Sequence, residues 1–190
     1  ARLQAALDGL GLDGSHRLVV VLMQLVNLMQ DGKPVRMSKR SGKAIALHDL
    51  LDEVSVDAAR YFFNSRAATT PLDFDLDLAV REDSENPVYY VQYAHARICS
   101  IFRNLEREGI RPRACTADEL AALSAPEERE LIRFLAAFPE EIAAAAREFD
   151  PSRITRYALD LAGLFHKFYN ACRVKGEAEP LLQARLALCA

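Results

Sequence analysis

The sequence predicts a mainly α protein, with a small α/β portion at the start and an antiparallel helical bundle after it. Three observations carry this. The run Arg17 to Met29 is rich in Val and Leu, the character of a strand buried on both faces as in a parallel sheet. From Asp49 onward the signals are helical almost throughout. The chain has 190 residues, 51% of them hydrophobic, enough to fill the core of one large or two modest domains.

In chain order, residues 1–12 read as the end of an amphipathic helix with Leu3, Leu7 and Leu10 on one side, stopped by GLDG. The apolar run follows and QDGKP ends it; a basic segment comes next, and AIALHD reads as a short extended piece. HDLLDEV and VDAARYFFNSR are short helices, the second with Ser55 as its N-cap. TTPLDFDLDLA is an extended, turn-rich crossing. Asn86 followed by Pro87 is a cap and first-turn signature for a long helix. Val88, Val91, His95, Ile98, Phe102 and Leu105 form its apolar stripe, which makes His95 a packed histidine. Gly109 and Pro112 end that helix and a connector runs to about Pro126. Leu131, Leu135, Phe138, Ile142 and Ala146 mark one further long helix. Asp150-Pro151 opens the next, with Ile154, Ala158, Leu161, Phe165 and Phe168 inward and His166 and Lys167 solvated; a last helix begins near Pro180.

Composition narrows the function. Net charge is −3, so the chain as a whole is no basic nucleic-acid binder and any anion site is local. No apolar run approaches the roughly 20 residues of a membrane helix. The four cysteines Cys99, Cys115, Cys172 and Cys189 lie far apart without a C-x-x-C pair, which argues against a zinc site and for reduced thiols in a cytosolic protein. The acids Asp73, Asp75 and Asp77 lack the glycine and terminal glutamate of a calcium loop and read as caps and turns. No metal site is expected. The sequence starts and stops in mid-pattern, so a piece of a longer protein is expected.

Two stretches carry chemistry. In DGKPVRMSKRSGKAI five basic side chains alternate with Gly, Ser and Pro, the ingredients of a phosphate-gripping loop, although the glycine spacing is not that of a P-loop. In NPVYYVQYAHAR, Tyr90, Tyr93 and Arg97 fall on one helical face, displaced by about 110° from the apolar stripe. Aromatic faces beside a guanidinium suit stacking of unpaired bases; an aromatic helix–helix contact is the plainer alternative.

Arg36 to Arg40, RMSKR, resembles the K-M-S-K-S signature of class I aminoacyl-tRNA synthetases. Together with LLDEVSVDAARYFF, LDFDLDLA and NPVYYVQYAHARICSI, it resembles the arginyl-tRNA synthetase family along the whole chain. The resemblance implies that residues 1–48 are the end of a class I catalytic domain, 49–84 a helical connector, and 85–190 a DALR-type anticodon-binding bundle, truncated at its C-terminus. It implies an ATP-phosphate loop of Arg36, Met37, Ser38, Lys39 and Arg40, with Lys39 the catalytic lysine that stabilises charge as pyrophosphate leaves. Arg36 replaces a lysine and Arg40 a serine, which keeps positive charge but puts the closed geometry at Arg36 in question. The implied substrates are ATP with Mg2+, arginine and tRNA(Arg), in a cytoplasmic, monomeric enzyme. The implied anticodon contacts are Tyr90, Tyr93 and Arg97, joined by Tyr169, Asn170 and Arg173 from FHKFYNACR. The family's H-I-G-H stretch is absent from these residues, so the piece is not expected to aminoacylate alone. A cysteinyl-tRNA synthetase fragment and a non-catalytic RNA-binding helical protein are the rival readings.

Overall fold

The computed structural model describes residues 2–35 and 46–190. It is mainly helical with one small sheet. The order is α1 (Arg2–Gly9), α2 (Gly14–Arg17), β1 (Val26–Gln30), β2 (Lys33–Pro34), α3 (Leu47–Glu53), α4 (Val56–Phe63), β3 (Leu72–Asp75) and α5 (Leu76–Ala79). There follow α6 (Pro87–Arg107), α7 (Ala117–Leu120), α8 (Pro126–Ala136), α9 (Phe138–Glu148), α10 (Ser152–Ala171) and α11 (Leu181–Cys189).

The sheet order is β2-β1-β3. β1 and β3 pair in parallel, with Leu28 opposite Phe74, as the apolar run led us to expect of this strand. β1 and β2 form a hairpin through Asp31 and Gly32, both with positive φ (51° and 68°). That is the two-residue turn for which Asp-Gly is suited, and the sequence reading saw only a strand end. The strand is also shorter than expected. Val19 to Leu25 lie outside it, and Leu22, Met23 and Leu25 are 74–83% exposed. Apolar character marked the segment, but only Val26–Gln30 has partner strands along it.

Local signals explain the next elements. Ser55 Oγ accepts from Ala58 N at 3.1 Å and starts α4, as expected. Leu47 to Asp49 of the piece read as extended are helical; Asp49 accepts from Ala46 N at 2.8 Å and fixes the entry of α3. The acids of LDFDLDLA go three separate ways. Asp73 accepts from Asn27 Nδ2 at 2.9 Å, Asp75 caps Leu78 N at 3.0 Å, and Asp77 holds the hairpin through Asp31 N at 2.6 Å. Asp75 and Asp77 take the cap-and-turn role expected of these acids, whereas Asp73 bridges β1 and β3 side chain to side chain.

Two apolar cores result. The first gathers the sheet, α3, α4, α5 and Val88 around the fully buried Phe74. The second gathers Ala94, Leu105, Leu131, Phe165, Phe168 and Leu186. α6 belongs to both, so its buried face rotates along its length. This is why the expected stripe is only partly right. Val88 and Leu105 are buried, but so is Ala94, whereas His95 is exposed, its Nε2 3.6 Å from Cys99 Sγ. The helix expected across Leu131 to Ala146 is two, α8 and α9, broken at Ala137. Pro139 has no N–H to donate and its ring collides with the carbonyl four residues back, so a helix cannot pass through it unbroken.

α8 and α9 run against α10: Phe134 and Phe138 stack on Tyr157 near its start, and Glu141 and Glu148 pair with Arg153. α6 runs with α10, since Tyr90 meets His166, Arg97 meets Tyr169 and Glu108 meets Lys175 just beyond. Phe165 and Phe168 are buried, as expected. α11 closes the bundle through Arg185, which donates to Glu128 Oε1 at 2.7 Å and to the Arg173 carbonyl.

Candidate nucleic-acid interface

Helical spacing brings the aromatic residues of α6 together with the end of α10. Asn86 Oδ1 accepts from Val88 N at 3.0 Å, starting α6 where Asn-Pro placed it. From there Tyr89 and Tyr93 are one turn apart and their rings stack at 6.3 Å. Arg97, a further turn on, lies between two aromatic faces, with its guanidinium carbon 4.7 Å from the Tyr93 centroid and 4.4 Å from that of Tyr169. Its Nη2 also donates to the Tyr93 hydroxyl. Each cation–π contact at a partly exposed site is worth about 0.5–1 kcal/mol. The guanidinium thus packs against both rings and Nη2 is engaged by the Tyr93 hydroxyl, which leaves its other N–H groups as the part available to an incoming anion.

A groove of about 650 Å³ opens beside this sandwich. Of the six expected contact residues, five line it: Tyr93, Arg97, Tyr169, Asn170 and Arg173. Tyr90 lines a second recess of about 480 Å³, which shares Tyr93 and Asn170 with the first. Tyr90 is half-buried and packs against the second core, so it is partly a structural residue. Tyr93 and Tyr169 are 42% and 38% exposed; Tyr93 already has Tyr89, His166 and Arg97 around its ring, so Tyr169 is the ring more open to a ligand.

His166 was expected to be solvated and is not. Its ring meets Tyr90 edge-on at 4.8 Å and Tyr93 at 5.7 Å, and its Nε2 is buried with no hydrogen-bond partner among the described residues. Burial and then the neighbouring Arg97 charge push its pKa below the ordinary histidine value, which favours the neutral ring. The periodicity of α10 could not show this. His166 lies off the Phe165–Phe168 stripe, and only pairing with the tyrosines of α6 buries it. Lys167 is exposed, as expected.

The groove is cationic although the chain is net negative. Among the described residues lining it are Arg97, Arg103, Arg173 and Lys175 and no Asp or Glu. Sequence reading missed Arg103 and Lys175, which no short motif flags. The arrangement offers aromatic faces for flat unpaired rings and cationic edges for phosphate, the two requirements of single-stranded nucleic-acid binding. Among the described residues there is no cluster of three or more His, Cys, Asp or Glu that could hold a metal ion, and no helix is long and apolar enough to cross a membrane.

The phosphate-loop residues Arg36, Met37, Ser38, Lys39 and Arg40 lie outside the described residues. The described residues stop at Val35 and resume at Ala46. Val35 N donates to Leu28 O at 2.8 Å, which ties the near end to the sheet, and the Asp49 cap on Ala46 fixes the far end.

Comparison with known proteins gives this geometry a context. The chain is 55% identical over 188 residues to an arginine–tRNA ligase of Ruminiclostridium cellulolyticum and 54% identical to one of Acetivibrio thermocellus. Each match takes in 99% of the chain but 33% of the relative, so the chain spans about a third of the length of these curated relatives. A solved structure from Campylobacter jejuni, described as a candidate arginyl-tRNA synthetase, superimposes with a TM-score of 0.81 at 33% identity, over 99% of this chain and 40% of that one. The arginyl-tRNA synthetase of Thermus thermophilus superimposes at 0.76 over 98% of this chain and 34% of that one; at 24% identity it shares the fold. Residues 91–190, which contribute most of the groove, match the DALR anticodon binding domain. The chain thus belongs to the DALR anticodon-binding domain family, and its likeness to arginine–tRNA ligases extends over nearly all of its length.

Proposed function

We propose that this chain is the anticodon-reading portion of an arginine–tRNA ligase, a class I synthetase that activates arginine with ATP and transfers it to tRNA(Arg). In this reading residues 1–48 end the catalytic domain, 49–84 connect, and 85–190 hold the anticodon loop. Arg36 to Arg40 grip the ATP phosphates, with Mg2+ as the counter-ion, and Lys39 stabilises the charge on departing pyrophosphate. Activity belongs to the whole ligase, working as a cytoplasmic monomer, because the 190 residues hold no H-I-G-H stretch.

The observation that supports the reading is the sandwich of Arg97 between Tyr93 and Tyr169 at the mouth of a cationic groove. Tyr169 offers a ring face to an unpaired base, Tyr93 backs Arg97 and presents its exposed edge, Arg97 and Arg173 hold flanking phosphates, and Asn170 supplies an amide for a base edge. Base stacking on an aromatic side chain is worth about 1–3 kcal/mol. Tyr169→Ala is therefore expected to weaken binding of tRNA(Arg) by that amount with little change in melting temperature, since its ring is partly exposed. Tyr90→Ala is expected to lose stability as well as affinity, because its ring also packs on the core. Filter binding and thermal melting separate the two effects. Full tRNA affinity in Tyr169→Ala would reduce the aromatic cluster to a helix–helix contact.

A further inference from the structure

The groove continues past the residues assigned above to the bases, and its chemistry changes along the way. Near Tyr93 and Tyr169 the lining is aromatic; from Ser100 onward it holds no aromatic ring. There Arg103 and Asn104 of α6 line one side, and Arg173 and Lys175, just beyond α10, line the other. Arg103 lies six residues beyond Arg97, a rise of about 9 Å along the helix. Among the described residues Arg103 and Arg173 have no acidic partner, whereas Lys175 pairs with Glu108 at the end of α6. That pair is well exposed, 65% at the lysine and 43% at the glutamate, and such pairs open readily in exchange for another anion.

We propose that this end of the groove is a track for the ribose–phosphate backbone that leaves the anticodon: Arg103 and Lys175 contact phosphates, Asn104 donates to a phosphate or sugar oxygen, and Glu108 competes for Lys175 in the free protein. The proposal rests on the anticodon-binding reading above and adds three residues that neither the motif reading nor the family match singles out. The separation of roles follows from general recognition chemistry. Base-edge donors carry sequence information and aromatic faces hold unpaired bases, whereas phosphate contacts carry affinity and register. A stretch lined by cations and an amide but no rings, with Glu108 the carboxylate that an incoming phosphate displaces from Lys175, fits the second task. Acidic protein segments also carry negative charge, but they would make no use of the aromatic end that shares the groove.

The two roles separate in salt. Each phosphate contact on a single strand contributes about 0.7 to the slope of log affinity against log salt. The probe is the anticodon stem–loop RNA of a tRNA(Arg), titrated with the chain between about 50 and about 200 mM salt. Arg103→Ala and Lys175→Ala are each expected to flatten the slope by about 0.7, so that this salt increase costs roughly threefold less affinity than in the wild type. They should do so equally for a stem–loop with scrambled loop bases. Tyr93→Ala should lower affinity for the native loop and leave the slope alone. Glu108→Gln should bind more tightly at low salt than the wild type. Arg103 and Lys175 are both exposed, so the variants are expected to melt as the wild type does. Unchanged slopes in Arg103→Ala and Lys175→Ala, with Tyr93→Ala weakened, would overturn the track and leave the anticodon reading standing. A wild type that does not bind the stem–loop would overturn both. Polyglutamate binding as tightly as the RNA would assign this end of the groove to an acidic protein instead.

Discussion

Glu128→Ala is expected to destabilise the chain by about 3–5 kcal/mol, the cost of leaving one member of a buried ion pair without its partner. Glu128 is 1% exposed and Arg185 8%. The carboxylate makes two contacts at once. Its Oε2 accepts from Ala125 N at 2.8 Å and caps α8, while its Oε1 receives Arg185 Nε at 2.7 Å. Arg185 in turn donates to Glu177 at 3.0 Å and to the Arg173 carbonyl. One buried acid therefore joins α8, α11 and the turn that presents Arg173 and Lys175 to the groove. For a chain of this size the loss corresponds to a melting temperature lower by about 10 °C. The double variant Glu128→Met, Arg185→Met should lose less than the sum of the single variants, since neither charge is then stranded. Denaturant unfolding of the four proteins measures the coupling. A single variant within 1 kcal/mol of the wild type would mean that the pair is solvated and does not organise this end of the bundle.

In a complete ligase carrying this sequence, Lys39→Ala is expected to slow arginine activation about a hundredfold. A preorganised cation aimed at charge that develops in the transition state contributes roughly 3 kcal/mol. In the proposed reading the lysine is a mobile point charge for the phosphates, while an arginine is a planar fork whose geometry is less adaptable. The segment's two anchors, Val35 on the sheet and the capped Ala46, set where it starts and ends relative to the first core. Arginine-dependent pyrophosphate exchange reads the effect. A rate equal to that of the wild type would remove Lys39 from the chemistry.

Much of this architecture was legible in the sequence because its signals are local. Asn86-Pro87, Ser55 and Asp150-Pro151 start the helices they were read to start, since a cap needs only its own next turn. Five of the six expected contact residues share one groove because Tyr93 and Arg97 are fixed by helical spacing, and Tyr169, Asn170 and Arg173 are close in sequence. What escaped was set by long-range contacts. Whether Leu22 and Met23 are buried depends on what packs against them, not on their own hydrophobicity. His95 and Ala94 exchanged places because α6 serves two cores, and a single stripe cannot describe a face that rotates. His166 was invisible for a related reason: its burial is made by Tyr90 and Tyr93, more than seventy positions earlier in the chain. The break at Ala137 and the Asp31-Gly32 hairpin are misses that local rules could have prevented, because Pro139 stands inside the apolar repeat and Asp-Gly is a hairpin signal.

The central claim is that the aromatic, cationic groove between α6 and the end of α10 reads an anticodon. Titrating the 190-residue chain with the anticodon stem–loop of tRNA(Arg), and with the same stem–loop carrying a changed anticodon, tests it most directly. The account predicts saturable binding to the first and at least about fivefold weaker binding to the second, since losing even one base-edge hydrogen bond costs about 1 kcal/mol. Equal affinity for the two loops would contradict it.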